Sequence, residues 1–278
     1  RILNLMKVAE LGTGLPQFTG MTSLEDMAVW NRTFDGAFRL KTRAIPFLWG
    51  VAFNDHWFHF PAVTQTFMDA AGTDKRIAIL PFWQHGFPPH VDQALCDFLD
   101  TAIAQTRPAY NAPGPLTVSA ADGAALAAFR WTGDNAVAKA ELVVSYGEIT
   151  PWLGWSQRAC FVFPATVEHG RATARLPIPS RHLPLVAWGN LTDDRQVVTS
   201  TPPLTLTAEA LAALPVDDQL ELNAFIDGDL GDEVLDLYRR HGQPVGGVPD
   251  RRVKQAGVQS LRFDQLALAH ELFQPLGQ

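Results

Sequence analysis

Two residues offer this chain's clearest chemistry. Asp55 follows Asn54 at the end of the near-continuous apolar run Ile45-Pro46-Phe47-Leu48-Trp49-Gly50-Val51-Ala52-Phe53. Thirty residues later His85 follows a second run, Arg76-Ile77-Ala78-Ile79-Leu80-Pro81. A carboxylate beside an imidazole fixes its tautomer and stabilises its cationic form, and the imidazole then accepts a proton from a nucleophile. Brought together, the two are the acid and base of an acyl-transfer site. The plainer reading makes Asp55 a helix cap and His85 a loop histidine.

The surrounding elements must bring them together. A continuous apolar run is the mark of a strand buried on both faces, as in a parallel sheet, with Pro46 near its start. Residues 61–71 read as a helix closed by Gly72-Thr73-Asp74. Another helix runs from about Pro88, with Val91, Leu95, Phe98, Leu99, Ala102 and Ile103 on one face. Strand, helix, strand, helix at this spacing gives a parallel sheet with crossover helices. Functional groups in such sheets gather at the carboxyl ends of the strands, where Asp55 and His85 both fall. Residues 1–40 read as irregular or helical, with Ser23 capping a helix through Trp30.

The stretch from Phe34-Asp35 through Phe53-Asn54-Asp55 to Gln84-His85-Gly86-Phe87-Pro88-Pro89 resembles the C-terminal half of acetyl-xylan-esterase-like and prolyl-oligopeptidase-like α/β hydrolases. The resemblance covers about residues 30–106 and extends more weakly to about 205. It implies Asp55 as triad acid, His85 as general base, and an ester substrate, with deacetylation of a carbohydrate favoured. Such a triad draws its serine from a Gly-x-Ser-x-Gly elbow on an earlier strand. Ser23 has no such glycines, and Ser156, in Gly154-Trp155-Ser156-Gln157, follows the histidine and lacks the second glycine. The expectation is therefore a serine ester hydrolase whose nucleophile lies outside this chain, on an N-terminal hydrolase half or a second chain. Alone, the chain is expected to be inactive. The competing reading is a non-catalytic binding or interaction module. No cofactor is called for.

Domain organisation follows from changes in composition. Residues 1–107 read as the partial α/β-hydrolase sheet, and residues 108–115, with Pro108, Pro113, Gly114 and Pro115, as a linker. Residues 116–206 carry short strand signals at 116–118, 127–131, 140–146, 159–163, 172–176, 185–188 and 197–199, without helices between them. That pattern predicts an antiparallel, immunoglobulin-like sandwich. Residues 207–278 read as a helical tail, with Thr207 capping a helix over 208–214. Trp131, Tyr146, Trp152, Trp155 and Trp188 raise a sugar-stacking surface, with Trp152 and Trp155 the best candidates because Pro151 and Gly154 place them in a loop. Core packing is the competing account of the same aromatics.

Composition excludes several classes. With 22 basic against 29 acidic residues, a net charge of -7 and no Lys/Arg run, the chain has no electrostatic footprint for nucleic acid. No stretch approaches the roughly 18 apolar residues that span a bilayer, so the chain reads as soluble. A removed leader would imply secretion or a periplasmic location. His56, His59 and His90 lie near Asp55 and His85 but form no matched ligand set, so no metal is expected. The acids Asp227, Asp229, Asp232 and Glu233 fail the EF-hand pattern, since positions six and twelve from Asp227 are Asp232 and Tyr238. Cys96 and Cys160 fall in different domains and are not expected to pair. A half-sheet would expose an unpaired strand edge, so association, as a homodimer, is expected of the chain alone.

Overall fold

A computed structural model describes residues 35–55, 60–83, 87–104, 109–147 and 160–217, with scattered positions between 25 and 33. His56, His59, His85, Trp152, Trp155, most of the helix expected from Ser23 to Trp30, and the tail from 218 to 278 lie outside the described residues.

Helix α1 (Gly36–Leu40) starts at Asp35, whose carboxylate accepts the Ala37 N–H at 2.9 Å. Strand β1 (Phe47–Ala52), helix α2 (Phe60–Asp69) and strand β2 (Lys75–Leu80) follow, and the two strands pair in parallel from Phe47↔Lys75 to Ala52↔Leu80. Side chains alternate across β1. Phe47, Trp49, Val51 and Phe53 share a cluster with Phe60 and Phe67 of α2. Leu48 faces the other way, against Ala94 and Phe98 of helix α3 (Pro89–Leu99). A helix on each face explains why this sequence is apolar without alternation.

The last carbonyls of a helix have no partner within it. In α2 they are met by Lys75, whose ammonium donates to the Phe67, Met68 and Ala70 carbonyls at 2.9, 3.2 and 2.9 Å. Burial pulls its pKa below the usual lysine range, and neighbouring Asp69 pushes the other way. Helix α3 runs on into a π-helical turn over Asp100–Ala104, leaving Leu99 and Ile103 exposed. The aromatic ring of Tyr110 then anchors the following segment. Its hydroxyl donates to the Ala94 carbonyl at 2.9 Å and its own carbonyl accepts from Arg76 Nε at 2.9 Å. The Arg195 guanidinium lies 4.8 Å over its ring.

Among the described residues ten strands come next: β3 (Ala112–Pro113), β4 (Thr117–Ala121), β5 (Ala124–Thr132), β6 (Val137–Tyr146), β7 (Phe161–Pro164), β8 (Thr166–Glu168), β9 (Arg171–Arg175), β10 (Leu185–Asp193), β11 (Val198–Ser200) and β12 (Leu204–Leu206). They form two five-stranded antiparallel sheets. One is ordered β3-β5-β9-β8 with β4 also on β5, and the other β11-β10-β6-β7 with β12 also on β10. Two tight hairpins fix the register of the first sheet. Asp122-Gly123 (φ 49 and 75) joins β4 to β5, and His169-Gly170 (φ 48 and 70) joins β8 to β9. Positive φ at both central residues matches the right-handed twist of the flanking strands.

The two sheets enclose one core. Leu116, Ala125, Ala127, Phe129, Ala172 and Ala174 from one side meet Ala140, Leu142, Val144, Leu185, Ala187 and Leu191 from the other. Leu211 of the short helix α4 (Ala208–Leu211) closes its end, and Thr207 caps that helix by accepting the Ala210 N–H at 3.4 Å. The helix expected over 208–214 stops at Leu211, after which the chain turns. Each of the seven strand signals between 116 and 199 corresponds to a strand. The cysteines are both free, Cys96 exposed and Cys160 buried. No helix among the described residues is long and apolar enough to cross a membrane.

Candidate functional site

The site begins where β1 ends. Phe53 donates its N–H to the Leu80 carbonyl at 2.9 Å, carrying the parallel pairing one residue past the strand. The chain then turns, with the Asp55 N–H on the Ala52 carbonyl at 3.3 Å. Asp55 is 6 % exposed, so the carboxylate expected to act as triad acid sits buried at the carboxyl end of a parallel strand. Two residues earlier, Phe53 belongs to an aromatic cluster. The Phe53 ring lies 4.8 Å from Phe60 edge to face and 5.0 Å from Trp188.

Where β2 ends, the chain is fastened to β1 on both sides of residues 84–86. Before them, the Phe82 N–H donates to Asn54 Oδ1 at 3.0 Å, and the Asn54 N–H donates to the Trp83 carbonyl at 3.0 Å. After them, the Phe87 ring covers Gly50, its nearest carbon 2.9 Å from where a β-carbon on residue 50 would stand. Gly50 is what lets that ring close on the strand. Phe82 itself has φ 67, the left-handed region that bulky residues avoid.

Pro88 then leads into α3, with the Val91 N–H on the Pro88 carbonyl at 2.9 Å. Pro89 occupies the first helical position, where a missing N–H costs nothing.

His85 lies outside the described residues, as do Trp152 and Trp155. Of the other aromatics considered for a sugar-stacking face, Trp188 is wholly enclosed and Trp131 and Tyr146 pack against the sandwich core. Trp188 is buried because β10 lies over the parallel sheet, and its ring is held between Phe53 and Phe60. It presents no face to a sugar. The residue that sequence reasoning passed over is Asn54. Its signal was present in the Asn-Asp pair, but a strand-ending asparagine reads equally as a turn.

The antiparallel sheets also reach the outer edge of β2. The Ile79 N–H donates to Ser200 Oγ at 2.8 Å, the Ile79 carbonyl accepts from Asn190 Nδ2 at 3.2 Å, and the Ser200 hydroxyl donates to Asn190 Oδ1 at 2.6 Å. Asn190 and Ser200 are directly opposed across β10 and β11. Two side chains thus stand in for a neighbouring strand at Ile79.

No family model matches the chain, and no curated protein does. Among solved structures it is similar to a bromine derivative of BhCBM56, with 8% identity over 33% of this chain and 88% of that one, at a TM-score of 0.23. It is also similar to wild-type OgpA from Akkermansia muciniphila, with 11% identity over 70% of this chain and a TM-score of 0.25, spanning 53% of that chain's length. TM-scores this low fall short of a shared fold.

Proposed function

We propose that residues 1–107 are the C-terminal half of an α/β-hydrolase domain, resembling acetyl-xylan-esterase-like and prolyl-oligopeptidase-like serine hydrolases. Residues 116–206 are then an appended immunoglobulin-like sandwich and residues 207–278 a helical tail. One observation carries this reading: Asp55 is buried at the carboxyl end of β1, and Trp83 and Phe87, which flank His85 in sequence, are both attached to that same strand. In this reading Asp55 holds the His85 imidazole, and His85 takes the proton from a serine supplied by an N-terminal hydrolase half or second chain. The serine oxygen attacks the ester carbonyl, and His85 passes its proton to the departing alkoxide. Water, deprotonated by His85, then attacks the acyl-enzyme carbonyl, releasing the acid and restoring the serine. The favoured substrate class, following the resemblance, is an acetylated carbohydrate.

The test is labelling with a fluorophosphonate of this chain joined to, or mixed with, the segment that carries Gly-x-Ser-x-Gly. Labelling that requires the serine and falls at least about 100-fold in His85→Gln is expected. Labelling equally fast in His85→Gln and Asp55→Asn would sink the enzyme reading. It would leave the chain as a binding or interaction module, with Trp152 and Trp155 as the residues to assay against glycans.

A further inference from the structure

Where β2 begins, a cavity of about 250 Å³ opens between that strand, the end of α2, and β3 and β11 of the antiparallel sheets. Phe67, Met68, Ala112, Pro113 and Pro202 give it apolar walls. Two cations also line it, Lys75 and Arg76, and no carboxylate does among the described residues. The Lys75 ammonium spends its three N–H groups on carbonyls at the end of α2. Arg76 keeps donors in reserve. Its side chain is 11 % exposed, with Nε on the Tyr110 carbonyl at 2.9 Å and Nη1 shared between the Lys75 carbonyl at 3.2 Å and Asp74 Oδ1 at 3.0 Å. Its Nη2 has no partner among the described residues.

The backbone of β2 adds a donor beside it. Phe47 takes the Asp74 carbonyl and Phe53 the Leu80 carbonyl, so the even-numbered residues of β2 bond toward β1 and the odd-numbered ones turn outward. The Lys75 carbonyl that Arg76 holds is one outward group, and the Ile77 N–H is the next along the strand. At Ile79 the outward N–H is met by Ser200, whereas Ile77 borders the cavity.

We propose that this cavity binds a small carboxylate with an apolar body, its oxygens on Arg76 Nη2 and the Ile77 N–H and its body against Phe67, Met68 and the two prolines. A mostly buried guanidinium with unmet donors is matched best by a carboxylate, whose charge offsets the cost of keeping the cation from water. A cavity of about 150 Å³ admits benzene, so this one has room for a ring that carries a carboxylate. The site stands at the amino end of β2, while Asp55 closes the carboxyl end of β1, and the proposal does not depend on the hydrolase reading.

The test is titration of the full, isotope-labelled chain with benzoate, followed by NMR at the Ile77 amide. Saturable shifts are expected with a Kd on the order of 10 mM, the ordinary affinity for a ligand of this size. Benzamide, which has the ring without the charge, and sulfate, which has charge without the ring, are each expected to bind at least about tenfold more weakly. Arg76→Gln is expected to weaken benzoate by a similar factor, and Ala112→Leu, which fills the cavity and leaves the bonds of Arg76 in place, to abolish the shifts. No shift at Ile77 through about 50 mM benzoate overturns the site. Benzamide binding as tightly as benzoate overturns the carboxylate, and sulfate binding as tightly overturns the apolar half. Unchanged affinity in Arg76→Gln or Ala112→Leu overturns the placement. Should either variant fail to fold, the three ligands compared on the wild-type chain decide the outcome.

Discussion

The ring of Phe129 on β5 occupies the space that a side chain on Gly189 of β10 would fill, so the two sheets meet there ring against bare backbone. Three ring carbons lie within 3 Å of where a β-carbon would stand. Gly189 is needed for the space and not for any unusual dihedral.

Gly189→Ala is accordingly expected to destabilise the fold by about 1–3 kcal/mol, the range for overpacking a well-filled core. Phe129→Leu in the same chain relieves part of that loss. Urea unfolding of the two single variants and the double variant measures it, and additive effects would show that the residues do not share the space.

Ser200→Ala leaves the Ile79 N–H and Asn190 Oδ1 without the hydroxyl that now serves both. A buried donor stripped of its acceptor costs about 1–3 kcal/mol. The expected signature is local as well as global: the Ile79 amide exchanges with solvent faster than its neighbours in β2. Unchanged exchange at Ile79 would mean the hydroxyl does not hold that edge.

Tyr146 supplies a pH prediction. Its hydroxyl donates to the Pro177 carbonyl at 2.8 Å, and burial first, then Asp217, raise its pKa above the ordinary value of 10.0. The folded protein therefore keeps this proton where the unfolded chain loses it. Stability from this group is complete below pH 10 and falls above it, by about 1.4 kcal/mol per pH unit. Tyr146→Phe is expected to cost about 1 kcal/mol at neutral pH and to flatten the decline between pH 10 and 12. A decline of equal slope in wild type and variant would refute the assignment.

Lys75 poses a contest of signs. Its burial disfavours the charge, yet its three bonds to the end of α2 favour it. Hydrogen bonds from a charged donor are stronger than neutral ones, so Lys75→Met, which keeps the stem, is expected to lose about 1 kcal/mol. A gain in thermal midpoint on that substitution would show that burial outweighs the cap.

Much of the architecture was legible in the sequence because it is written in local pattern. Residues 45–53 read as a strand covered on both faces because α2 and α3 do cover them. The seven signals between 116 and 199 stood out through their turns. β3 was hidden within a stretch whose prolines and glycine resemble a linker, and β8 and β12, three residues each, were passed over although β11, no longer, was read. Trp188 was a candidate for stacking on sugar because its burial comes from Phe53 and Phe60, more than a hundred residues away in sequence. No periodicity reports such a contact. Asp55 was legible as a strand-end acid. The left-handed turn at Phe82 was not, since nothing in the identity of phenylalanine announces it.

The two edges of the parallel sheet differ, and that difference bears on how copies could pair through it. Phe47 and Phe53 bond toward β2, so the alternation of the ladder turns the backbone of Leu48 and Gly50 to the far side of β1, where no strand pairs among the described residues. The opposite edge is stopped at Ile79 by Asn190 and Ser200. A filament needs two sticky edges per subunit so that each copy both receives and offers. Through this sheet, pairing between copies would join β1 to β1 about a two-fold axis and end at the pair, whereas the antiparallel sheets keep edge strands of their own, β7 and β8 among them.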